Sequence, residues 1–90
     1  MNNANTLGRA EFSCANSSNQ KLFRVNAGVP VEDALEAISL LQHYANLLTF
    51  DAAMSNKGER FSWAAFYLGE MAKALIEDVN DALYATRTTP

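Results

Sequence analysis

The side chains best suited to chemistry in this 90-residue chain are one histidine, one cysteine and ten carboxylates. A metal site needs three or four converging ligands, and the familiar helical zinc motifs need a second histidine. His43 has neither. Glu36 lies seven residues earlier, two helical turns away, and Asp51 falls on another face. A diiron bundle needs Glu-x-x-His pairs. Glu36-x-x-Ser39 and Glu70-x-x-Lys73 do not supply them. A lone cysteine excludes an internal disulfide framework and a cysteine zinc cluster. Cys14 sits in a polar stretch with no residue nearby in sequence to activate it, so it reads as a bystander. There is no glycine-rich phosphate loop and no nucleophile–base pair by spacing. No catalytic, cofactor-binding or metal residue is assigned, and the chain is not expected to be an enzyme.

The elements that carry these residues are few. A chain of 9.9 kDa holds one small domain at most. With 49% hydrophobic and 19% charged residues it is globular on average, but the average hides two regions. Residues 1–26 hold six of the nine asparagines, and three basic side chains against one acidic. Residues 27–90 hold four basic side chains against nine acidic. The folded part is therefore acidic and lacks the clustered Lys and Arg that phosphate backbones attract. No run approaches the ~20 apolar residues that span a bilayer. The N-terminus lacks the apolar segment of a secretory signal, so a cytoplasmic protein without a membrane partner is expected.

Residues 1–20 read as a disordered tail rich in Asn and Ser, with Phe12 as a possible hook. The domain proper is placed at 21–86. Lys21-Leu22-Phe23-Arg24-Val25 suggests a short extended arm lying on the helices. If it is a strand, its partner is expected from a second copy, since five residues make no sheet alone. Pro30 then sets the start of helix 1, placed at about 31–54, with Glu32, Asp33 and Glu36 at the positive end of its dipole. Val31, Ala34, Leu35, Ile38, Leu41, Ala45, Leu48 and Ala52 make one stripe. Ala37, Leu40, Tyr44 and Leu47 make a second beside it, an arc wider than one partner helix covers. Ser55 to Glu59 breaks the pattern, with Gly58 able to supply a positive φ. A connection this short makes the helices antiparallel neighbours.

Helix 2 is placed at about 60–86, with Glu70, Lys73, Glu77, Asp78, Asn80 and Asp81 as its solvated edge. Ala65, Gly69, Ala72 and Ile76 are spaced for a close helix crossing. The fold class is all-α: an antiparallel hairpin of two long helices behind a disordered tail and an extended arm. Two helices share one line of contact, and domains this small generally need disulfides, a metal or oligomerisation. A homodimer closing into a four-helix bundle is expected.

Trp63, Phe66 and Tyr67 fall outside the core stripe of helix 2. Clustered aromatics of this kind mark interfaces. With Leu40, Tyr44 and Leu47 they form the candidate protein interface.

Leu22-Phe23-Arg24-Val25 through Gly28-Val29-Pro30, then Glu32 to Leu35, Leu40-Leu41, Trp63 to Ala65 and Tyr67 to Leu75, resemble a family of short Pseudomonas-type proteins known only as a domain of unknown function. The resemblance spans about residues 21–84. It implies a bacterial, cytoplasmic protein and carries over no site residue.

The expected function is a non-enzymatic interaction module, a homodimeric helical bundle that binds another protein as an adaptor or chaperone does. The alternative is a DNA-associated regulator that uses a strand arm in the manner of ribbon-helix-helix proteins, with Lys21 and Arg24 on the nucleic acid. Its case is two residues in an acidic chain, so nucleic acid is not the expected partner.

Overall fold

The computed structural model describes residues 4–88. The order is β1 (Glu11–Cys14), β2 (Lys21–Arg24), α1 (Val31–Met54) and α2 (Gly58–Thr88). The two helices pack antiparallel as a hairpin, and the two strands pair antiparallel as an arm in front of them. Residues 1–3 of the expected tail and 89–90 of the C-terminal end lie outside the described residues.

α1 starts where Pro30 fixes φ at -54° and its carbonyl accepts from the Asp33 and Ala34 N–H groups at 3.0 and 3.1 Å. Glu32 and Asp33 sit in the first turn, at the positive end of the helix dipole. The helix ends at Met54, after which Ser55 is extended and its Oγ accepts from the Lys57 N–H at 3.0 Å. Gly58 opens α2, and its role differs from the expected one. It has no positive φ. A Cβ there would instead lie 2.8 Å from the Ala52 carbonyl oxygen, so glycine lets the second helix start against the end of the first. Gly69 also departs from expectation. A Cβ at that position meets nothing within 4 Å, so it makes no close crossing.

The segment expected as a disordered tail is built into the fold from residue 4 onward. Thr6 is buried and organises it. Its N–H donates to the Val29 carbonyl at 2.7 Å, and its carbonyl accepts from Gly28 at 2.9 Å. Its hydroxyl donates to the Asn26 carbonyl at 2.6 Å and accepts from the Val29 N–H at 3.0 Å. β1 then pairs with β2 in the register Glu11 with Arg24, Phe12 with Phe23 and Cys14 with Lys21. The strand partner expected from a second copy is therefore supplied by the same chain. Sequence composition undervalued this segment because its ordering depends on backbone bonds, which any residue type supplies.

Where the first helix begins and the second ends, Val31, Ala34, Val79 and Ala82 form a buried cluster. Leu7 and Val29 of the N-terminal segment and Ile38, Leu75 and Leu83 of the helices pack on it. Among the described residues, every buried hydrophobic side chain is Ala or Val. Larger apolar side chains reach only partial burial. The Cα envelope measures 55 × 34 × 16 Å, about one helix layer thick.

Candidate interaction surface

Asp78 is the largest fully buried side chain of the described residues, with 0% exposure. It projects from α2 into the turn that precedes β1. One carboxylate oxygen accepts the N–H groups of Leu7 and Gly8, at 2.5 and 3.0 Å. The other accepts those of Arg9 and Ala10, at 2.7 and 2.8 Å. Four consecutive amides thus close around one anion, a backbone nest filled from within the chain. Gly8 makes the turn possible: its φ is 77°, and a Cβ would lie 2.9 Å from the Ala27 Cβ. Burial by itself raises a carboxyl pKa, but the four donors together outweigh it and hold Asp78 below the ordinary aspartate value. The sequence reading placed Asp78 on a solvated edge, and the structure corrects it. The available signal was its setting, with Ala74 and Ala82 one turn to either side where a solvated face would carry long polar side chains.

This carboxylate fixes the arm beside α2, and the arm meets the aromatic cluster there. Phe12 and Phe23 stack across the strands with ring centroids 5.4 Å apart. Trp63 lies 6.0 Å from Phe66 and 6.3 Å from Tyr67, and Phe66 lies 5.7 Å from Tyr67. Between the two groups runs a cavity of about 550 Å³, lined by Phe12, Phe23, Phe66, Tyr67 and Met71, with Lys21 and Glu70 among its polar residues. The aromatic triad is brought together as one surface, and each of its rings is exposed. The arm borders these rings without covering them.

The other expected interface residues, Leu40, Tyr44 and Leu47, are exposed on α1, together with Phe50 and Met54. Exposure of the large apolar side chains runs from 39% at Met71 to 73% at Met54. A second cavity of about 330 Å³ lies between the helices and the N-terminal segment, lined by Ala34, Ala37, Leu41, Met71 and Leu75 on one side and by Thr6, Phe12, Arg24, Val25, Asn26 and Val29 on the other.

The remaining candidates lie apart. His43 is exposed and makes an edge contact with Tyr44, centroids 5.2 Å apart. Cys14 is exposed and its thiol donates to the Asn16 carbonyl. Lys21 and Arg24 are exposed at the two ends of β2, and the register places Glu11 opposite Arg24. Among the described residues, no three His, Cys, Asp or Glu side chains gather around one point. No helix among them is long and apolar enough to cross a membrane.

A family model described as a protein of unknown function, DUF3077, matches residues 6–82. That match begins at Thr6 and so includes the clasped turn and β1 as well as the hairpin. No curated protein and no solved structure matches the chain.

Proposed function

The chain belongs to the DUF3077 family, and from that premise we propose that it is a non-enzymatic interaction module: a homodimer, closing as a four-helix bundle, that presents an aromatic surface to another protein. One observation carries this reading. Among the described residues, fourteen large apolar side chains stand exposed, while the buried hydrophobic set is made of Ala and Val. The N-terminal segment and arm cover only part of the two-helix layer, and domains are ordinarily built from at least two full layers. Exposed apolar area on this scale marks association surfaces. The α1 stripe of Leu40, Tyr44 and Leu47 supports self-association. The groove between Phe23 of the arm and Phe66 supports a second partner, because aromatic side chains are enriched among the residues that dominate binding energy.

Light scattering across a concentration series tests the first part. A mass near twice 9.9 kDa supports it, and a folded monomer at high micromolar concentration rejects it. The second part is tested by affinity capture with and without nuclease, using wild type and Phe23→Ala/Phe66→Ala. A stoichiometric partner that survives nuclease and is lost with the double variant supports this surface. A partner retained by the variant removes it.

A further inference from the structure

The two broad faces of the flat hairpin differ in how many large apolar side chains they expose. On one face, Ala37 and Leu41 of α1 lie across the seam from Met71 and Leu75 of α2. Helical periodicity adds Leu40, Tyr44 and Leu48 to that side of the first helix, and Tyr67 to that side of the second. On the opposite face, the same periodicity places Leu35, Gln42, Asn46 and Thr49 of α1 with Gly69, Lys73, Ile76 and Asn80 of α2, of which Leu35 and Ile76 are large, apolar and half exposed. From Ala37 to Phe50 the first helix carries no Asp, Glu, Lys or Arg. That is four turns without a charge on a helix whose large side chains are exposed, which is unusual for a face meant for water.

We propose that the first of these faces is the dimer seam, and that its occupant is the same face of a second copy. Leu40, Tyr44 and Leu47 of each copy seat in the groove that Ala37, Leu41, Met71 and Leu75 form on the other. This rests on the dimeric reading above and adds which surface makes the dimer. Two observations select a second copy as the occupant. A two-fold interface needs projections and their receptacle on one patch, and this face holds both: a row of large side chains and, beside it, a groove of about 330 Å³ lined by Ala37, Leu41, Met71 and Leu75 of the helices and walled on its other side by Phe12, Arg24 and Val25 of the arm. The area also fits. Leu40, Tyr44, Leu47, Trp63, Tyr67 and Met71 are each 39–55% exposed. At roughly 100 Å² apiece they approach, with the part-buried residues around them, the ~800 Å² per partner of a standard interface. Phe66 is left outside the seam, beside the arm.

The test measures how fast single cysteines react with a maleimide as protein concentration rises. In a Cys14→Ser background, Leu47→Cys reports the proposed seam and Ile76→Cys reports the opposite face, where the native isoleucine is 50% exposed. The expected result is about a tenfold slowing at Leu47→Cys between dilute and concentrated protein, with Ile76→Cys unchanged. Light scattering on the same samples separates the two layers of the argument. A dimer that protects Ile76→Cys and leaves Leu47→Cys open overturns the choice of face and leaves the dimer standing. A monomer at every concentration overturns the dimeric reading itself. As a second arm, Ala37→Trp fills the groove without adding charge. Unchanged dimer affinity in that variant, with the helical circular dichroism signal intact, also overturns the proposal.

Discussion

The Asp78 carboxylate and the Leu7 backbone N–H, 71 residues apart in sequence, meet at 2.5 Å. With the three amides that follow Leu7, this contact joins the turn at residues 7–10 to the last helix. Removing the carboxylate leaves four amides facing a void. Asp78→Ala is expected to cost about 3–5 kcal/mol, a large share of the stability of so small a domain. Hydrogen exchange localises the effect: the amides of residues 7–10 lose protection first and the middle of α2 later. Retained protection at 7–10 would show that the turn holds without the clasp.

The same group sets an acid limit. Its pKa is lower in the folded chain than in the unfolded one. Such a carboxyl contributes stability that is fully present above the unfolded pKa and is lost as pH falls through the folded one. Denaturant midpoints of wild type should therefore hold from neutral pH down to the ordinary aspartate range and fall below it. Asp78→Asn, weaker at neutral pH, should lack that part of the fall. Parallel curves for the two proteins would refute the assignment.

Three glycines are expected to rank by geometry. Gly8→Ala combines a φ of 77° with a contact of 2.9 Å and should cost about 2 kcal/mol or more. Gly28→Ala has the positive φ but open space, and should cost about 1 kcal/mol. Gly69→Ala lies in a helix with nothing near it and should stabilise by up to about 1 kcal/mol. Thermal or urea melts of the three variants check the order, and a destabilising Gly69→Ala would contradict it.

Thr6→Val keeps the shape and removes both hydroxyl bonds, to Asn26 and from Val29. A loss of about 1–2 kcal/mol is expected. Thr6→Ser, which keeps the bonds, should recover most of it. A serine variant as weak as the valine one would mean that the methyl group, and not the hydroxyl, fixes the loop.

Lys21 and Arg24 carry the nucleic-acid alternative. With β2 already paired to β1 and Glu11 across from Arg24, the expected outcome is no gel shift at low salt. A salt-sensitive shift that Lys21→Ala/Arg24→Ala abolishes would move the function to DNA.

The helices were legible because their signal is local. Periodicity placed the first at 31–54 and the second at about 60–86, against Val31–Met54 and Gly58–Thr88 in the structure. The arm was legible only in half. Lys21 to Arg24 announces itself by alternation, but Glu11-Phe12-Ser13-Cys14 is too polar to read as a strand, and its pairing comes from a segment seven or more residues on. Asp78 was opaque for a related reason. Ala74 and Ala82 beside it hint at a covered face, but what covers the carboxylate is the return of residues 7–10, which no local pattern announces. Of the candidate surface, Trp63, Phe66 and Tyr67 were legible as a group, whereas the cavity they share with Phe12 and Phe23 depends on that same return.

The clasp also orders events in time. During synthesis the turn at residues 7–10 emerges early, and Asp78 is added some seventy residues later. Until then its amides have only water as a partner, and the apolar patch of Leu7 and Val29 has no second helix to rest on. The turn is expected to wait without a fixed structure and to lock in one late step, since contacts this distant in sequence form slowly. The arm's own strands can pair as soon as both are made, whereas its turn closes only once the second helix has been added.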